Sequence, residues 1–187
     1  MQRRRSGLRQ KQLRSCGGEL QAVNVVLCGM MGCGKSTVAE RFSQLFGAPS
    51  VDTDKIIEER FGSINGIFAA HGEAYFRDIE AEITAETSKK YSNAVISLGG
   101  GCVLRSENVK NLKATGKIFY LRAQAQTLIE RLKGDTSRPL LRGGLEERVD
   151  KILAERSQVY ESVADFIIDT DGLTPTEIAQ KIKEAIL

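Results

Sequence analysis

Apolar residues in this chain fall into short dense runs, separated by longer stretches where they recur every three or four positions. The runs Asn24–Cys28, Ser50–Asp52, 94–98, 117–121 and Phe166–Asp169 are short and mostly rich in β-branched and aromatic side chains, and they predict strands. Between them, Val38, Phe42 and Leu45 keep helical spacing until Gly47 and Pro49 stop the pattern. Leu145, Val149, Ile152, Leu153 and Tyr160 mark another helix. Thr174, Pro175 and Glu177 make a capped start for a last helix carrying Ile178, Ile182 and Ile186. Strands alternating with helices predict βαβ units, and so an α/β fold around a parallel sheet. Two stretches do not read as plain crossovers. One, about 55–92, is too long and too charged, although 55–61 reads as a helix; the other is the polar, glycine-flanked 134–144.

At 187 residues the chain is expected to form one domain, and at 41% apolar it can build a core. No apolar run approaches the roughly 20 residues that span a bilayer. The net charge of +3 is unevenly placed. Arg3, Arg4, Arg5, Arg9, Lys11 and Arg14 stand in the first 18 residues without an acid, and setting these six aside leaves 21 basic against 24 acidic residues. The excess belongs to an N-terminal extension over 1–21, expected to be disordered, and the body is not expected to bind nucleic acid or membrane. Cys16, Cys28, Cys33 and Cys102 form no C-x-x-C pair, and His71 is the single histidine and reads as a loop residue. Reduced thiols in a cytosolic protein fit that pattern better than a zinc site.

The chemistry begins where the first strand ends. Gly29 and Gly34-Lys35-Ser36 complete a G-x-x-x-x-G-K-[ST] phosphate loop between a strand and a helix. Gly29, Gly32 and Gly34 let successive N–H groups wrap one phosphate, and the helix directs its positive end at the same anion. Lys35 places an ammonium against the β- and γ-phosphates, and the Ser36 hydroxyl can ligate Mg²⁺. In such an enzyme, insertions like 55–92 and 134–144 are where an acceptor site and a closing lid belong.

Asp52-Thr53-Asp54 closes the second strand, on the edge where open α/β sheets bind ligands. Read as extended, it directs two carboxylates the same way, one for Mg²⁺ through water and one for an acceptor hydroxyl. Capping the following helix would need only one polar side chain. Arg77 with Glu73 and Glu80 reads equally as an ordinary solvated helix face. Gly99-Gly100-Gly101 after the third strand suggests close approach of a small ligand to the backbone. Arg138, before Pro139, is a candidate clamp on the γ-phosphate, with Arg142 nearby. Arg156 falls on the apolar face set by Val149 and Ile152, so it needs an anionic partner: a salt bridge or a bound carboxylate.

Taken together, these motifs resemble shikimate kinase over roughly residues 22–187: G-M-M-G-C-G-K-S-T, D-T-D, I-F-x-x-x-G-E-x-x-F-R-x-x-E across 67–80, G-G-G, and R-P-L-L followed by the Arg156 helix. The resemblance implies transfer of the γ-phosphate of ATP to the 3-hydroxyl of shikimate, in the route to chorismate and the aromatic amino acids. It also implies a three-layer sheet of five parallel strands in order 2-3-1-4-5, an acceptor-binding insertion at about 53–92 and a lid at about 134–144. By the same resemblance Gly32, Cys33, Gly34, Lys35, Ser36 and Thr37 bind the phosphates of ATP, and Ser36 and Asp52 hold Mg²⁺. Asp54 binds the attacking hydroxyl. Arg77 and Arg156 face the acceptor carboxylate, with Phe68, Phe76, Gly99, Gly100 and Gly101 completing the pocket and Glu80 orienting Arg77. Arg138 reaches the phosphates and Arg131 packs near adenine, which makes Lys35, Asp54 and Arg138 the catalytic set. Related chains often carry a basic residue near adenine just after the fifth strand, where this one has Asp169-Thr170-Asp171-Gly172. A monomer acting on small molecules is expected. The competing readings are a gluconate-type or nucleoside monophosphate kinase, and a silent ATP-binding regulatory module.

Overall fold

Five parallel strands carry the chain in the computed structural model, which describes residues 23–133 and 144–187. They are β1 (Asn24–Cys28), β2 (Ser50–Asp52), β3 (Val95–Ser97), β4 (Gly116–Arg122) and β5 (Phe166–Asp169), in the order β2-β3-β1-β4-β5. Central β1 sets Val25 opposite Val95 on one side and Lys117 on the other. The strand expected at 94–98 is one residue shorter at each end. The one expected at 117–121 is one longer at each end, because Gly116 pairs with Asn24 and Arg122 with Asp169.

Parallel neighbours need crossover connections, and helices supply them. They are α1 (Lys35–Phe46), α2 (Thr53–Phe61), α3 (Ile64–Lys90), α4 (Ser106–Thr115), α5 (Ala125–Leu132), α6 (Leu145–Val163) and α7 (Pro175–Ala185). The capping box predicted for α7 is present, with Thr174 and Glu177 each satisfying the other's backbone N–H. Side-chain alternation along β1 divides the core. Val25 and Leu27 pack with α1, α5, α6 and α7, whereas Val26 and Cys28 face Leu112 of α4 and Tyr160 of α6.

The long stretch after β2 is two helices with a small core of their own, built from Ile57, Ile67, Phe76, Ile79 and Ile83. α2 starts at Thr53, earlier than the helix predicted for 55–61, and α3 bends at Gly72, where φ is +81°. His71 belongs to α3 rather than to a loop, its ring centroid 4.6 Å from that of Tyr75. The N-terminal extension with Cys16, and the lid residues 134–143 with Arg138 and Arg142, lie outside the described residues. Among the described residues no helix is long and apolar enough to cross a membrane.

Candidate active site

The phosphate loop runs from β1 into α1. Gly34 stands at the N-cap of α1 with φ +100°, a left-handed conformation that an L side chain would strain. Lys35, only 8% exposed, folds back into the loop and donates from Nζ to the carbonyls of Gly29 at 2.9 Å and Met30 at 3.1 Å. Its ammonium is thereby held over the cradle, with the buried Cys33 Sγ 3.9 Å away. Arg131 crosses over from α5, its Nη1 lying 3.4 Å from the Gly32 carbonyl and 3.3 Å from that of Cys33.

Asp52 serves two structures at once. Its Oδ1 accepts from the N–H groups of Asp54 at 3.0 Å and Lys55 at 3.3 Å, capping α2, while Oδ2 accepts from the Ser36 hydroxyl at 2.7 Å. The cap draws Thr53 and Asp54 into the helix, so the D-T-D run is not the extended segment predicted from sequence. Asp52 turns to the phosphate loop and Asp54 to the cavities beyond it. A hydroxyl and a carboxylate in contact are hard oxygen donors suited to Mg²⁺. Ser97 at the end of β3 brings its hydroxyl to 3.3 Å from Ser36, a neighbour that motif reading misses. A small polar residue closing the buried apolar run Val95-Ile96 was the available signal.

Two cavities open at this edge of the sheet. The larger, about 550 Å³, is walled by residues 32–38 of the loop, by Arg131 and Leu132, and by Leu173, Pro175 and Ile178 near the start of α7. The smaller, about 260 Å³, is lined by Phe68, Phe76, Arg77, Glu80, Gly99, Gly100, Gly101 and Arg156, with Glu58, Ile64 and Asn65 added. Met31, Asp54 and Gly100 belong to both. The structure therefore brings Arg77, Arg156, Asp54 and the glycine turn around one space, although they are up to about a hundred residues apart in sequence. Glu58, Ile64 and Asn65 lie outside the motifs, and Met31 fills an unspecified position of the phosphate-loop pattern, because shape rather than chemistry selects them.

The glycines have a tighter role than ligand approach alone. A Cβ on Gly99 would stand 2.6 Å from Asp54 Oδ1 and 2.9 Å from Glu80 Oε1, and one on Gly101 would stand 2.5 Å from both terminal nitrogens of Arg77. What crowds Gly99 and Gly101 is the chain's own charged side chains. Gly100 meets nothing nearer than 3.5 Å and faces both cavities.

Arg77 is not on a solvated face. It donates to Glu80 at 2.7 Å and to Glu73 at 3.0 Å, and the Glu80 side chain is 2% exposed. Burial pushes the Glu80 carboxyl above the usual carboxylate range, Arg77 draws it back, and neighbouring Asp54 raises it further. The Arg77 guanidinium loses hydration, yet its two glutamates more than offset this and strengthen its hold on the proton. At the end of β5, Asp169 pairs with Arg122, and two residues on Asp171 accepts from the Gln124 N–H at 3.1 Å at the start of α5.

Comparison with known proteins gives the chain a family. The family model described as shikimate kinase matches residues 31–187. A shikimate kinase of Thermodesulfovibrio yellowstonii is 49% identical over 162 residues, covering 85% of this chain and 92% of that protein. One of Caldicellulosiruptor bescii is 42% identical over 161 residues, with coverage of 85% and 92%. Among solved structures, the Acinetobacter baumannii shikimate kinase in complex with shikimate superposes with a TM-score of 0.84 at 32% identity, covering 88% of this chain and 92% of that one.

Proposed function

The chain belongs to the shikimate kinase family, and from that premise we propose how its own residues bind ATP and shikimate and move a phosphoryl group between them. The triphosphate occupies the larger cavity, wrapped by the N–H groups of residues 32–37 and met by the Lys35 ammonium. Shikimate occupies the smaller one, its carboxylate between the guanidinium groups of Arg77 and Arg156, with Phe68 and Phe76 against the ring. The observation that carries this reading is the shared wall: Asp54 and Gly100 line both cavities, so a hydroxyl held by Asp54 faces the end of the phosphate chain.

Phosphoryl transfer then breaks the bond from γ-phosphorus to the bridging oxygen and forms one to the acceptor oxygen. The hydroxyl loses its proton and ADP leaves. Asp54 orients that hydroxyl and is the nearest group able to take the proton, although a loose transition state asks little of a base. Lys35 stabilises charge on the phosphate oxygens as it moves toward ADP, so alignment and electrostatics supply most of the acceleration. Ser36 and Asp52 would hold Mg²⁺, which when bound neutralises charge shared by the β- and γ-phosphates. Arg131, lying across the loop, is the candidate neighbour of the adenine. Among the described residues, the free thiols Cys28, Cys33 and Cys102 support a reducing, cytosolic setting.

The test is turnover with ATP and Mg²⁺ on a panel of acceptors. Shikimate should be phosphorylated at its 3-hydroxyl, with gluconate and nucleoside monophosphates inert. Turnover on those alternatives with none on shikimate would overturn the reading.

A further inference from the structure

Tyr160 of α6 is wholly buried, yet its hydroxyl is engaged. It donates to the carbonyl oxygen of Gly100, the glycine shared by both cavities. Arg156 precedes it by one helical turn on α6, which puts the two side chains on one face. The ring lies against Tyr120 of β4, centroids 5.1 Å apart, which fixes where the hydroxyl points. Burial raises the Tyr160 hydroxyl pKa, and the guanidinium of Arg156, close beside it, acts in the opposite sense through its charge and by hydrogen bonding.

Resting on the assignment of Arg156 to the acceptor carboxylate, we propose that Tyr160 is a positioning residue. Its hydroxyl joins the Arg156 guanidinium to the Gly100 carbonyl and so holds the fork of Arg156 toward the acceptor. The need for such a tether follows from the side chain itself. A guanidinium reaches the cavity on a long flexible stem, and among the described residues Arg156 has no short ion pair of the kind that Glu80 gives Arg77. Without a fixed neighbour, the ordering of that stem would be charged against acceptor binding. A buried phenol, rigid and packed against a second aromatic ring, supplies the fixed point at little conformational cost. It also makes the α6 side of the pocket move with the glycine turn, which is already crowded by Asp54, Glu80 and Arg77.

The test compares shikimate with its methyl ester, an acceptor of nearly the same shape that lacks the carboxylate charge, for the native enzyme and for Tyr160→Phe, Arg156→Ala and the double variant. The native enzyme should prefer shikimate strongly in kcat/KM, and Arg156→Ala should reduce that preference by about tenfold or more, as loss of a charged hydrogen bond implies. Tyr160→Phe should reduce the same preference about fivefold, through KM for shikimate and with KM for ATP unchanged. In the Arg156→Ala background the phenylalanine should add nothing further to the preference. A merely structural tyrosine predicts equal losses on both acceptors, or additive effects in the double variant, and either result overturns the proposal. Should Arg156→Ala leave the preference untouched, the assignment of Arg156 itself falls and the inference with it. An intact preference in Tyr160→Phe beside a damaged one in Arg156→Ala refutes only the tether.

Discussion

Arg77 and Glu80 form an ion pair 2.7 Å long across one turn of α3, and Gly101 is the residue that leaves room for it. A methyl group on Gly101 would fall 2.5 Å from both terminal nitrogens of that guanidinium. The pair cannot shift freely, because Glu80 is buried and Gly99 closes over its other oxygen. The proposed substrate clamp is thus built from packing as much as from charge.

Gly101→Ala should therefore displace Arg77 and raise KM for shikimate by about ten- to a hundredfold, the scale of an ångström-sized misplacement. KM for ATP should hardly change, since Gly101 lines only the smaller cavity. Equal losses for both substrates would mean that the turn supports the whole edge of the sheet rather than the clamp.

Arg156→Ala should weaken acceptor binding by about 2–4 kcal/mol, the range for removing one partner of a charged hydrogen-bonded contact. Equilibrium binding of each substrate separately checks it: shikimate affinity falls and ATP affinity stays.

Asp52 allows its two roles to be separated. Asparagine is a good N-cap, so Asp52→Asn should keep the thermal midpoint while lowering kcat by about 10–100-fold through the lost carboxylate. Asp52→Ala should lose activity and also about 1 kcal/mol of stability, or roughly 2–4 °C in Tm. If both variants melt alike, the cap seen at Oδ1 contributes nothing.

Lys35→Ala should reduce kcat by about 10²–10³-fold, as removal of one charge-stabilising donor does elsewhere. An unchanged kcat would take the ammonium out of the chemistry.

Much of this was visible in the chain. Strand positions, the phosphate loop and the capped start of α7 follow from local patterning, because each is decided by neighbouring residues. The stretch after β2 resisted reading, since the bend at Gly72 interrupts helical periodicity and an inward Arg77–Glu80 pair has the same spelling as a surface pair. Asp52 and Asp54 looked parallel in an extended run, and only the cap on α2 shows them diverging. Tyr160 was silent because its role depends on contacts across the sheet. Tyr160 counted simply as an apolar position of its helix.

Glu80 predicts a pH effect on stability. Its carboxyl titrates above the usual range in the fold, chiefly through burial, so the folded state binds more protons than the unfolded one near the carboxylate range. Its contribution is therefore complete below the unfolded pKa and is lost as pH rises through the folded value. Arg77 and Arg156 moderate this loss, and Asp54 adds to it. Relative to Glu80→Gln, the native protein should lose melting temperature as pH is raised from about 4.5 toward 7. A difference that runs the other way would mean that Arg77 outweighs burial.

The central claim is geometric, and a crystal structure with shikimate and a non-hydrolysable ATP analogue tests it most directly. The account predicts the shikimate carboxylate between Arg77 and Arg156, its 3-hydroxyl on Asp54 and the γ-phosphate facing that hydroxyl across Gly100. Shikimate bound with its carboxylate away from both arginines, or in a cavity that Asp54 does not line, would contradict it.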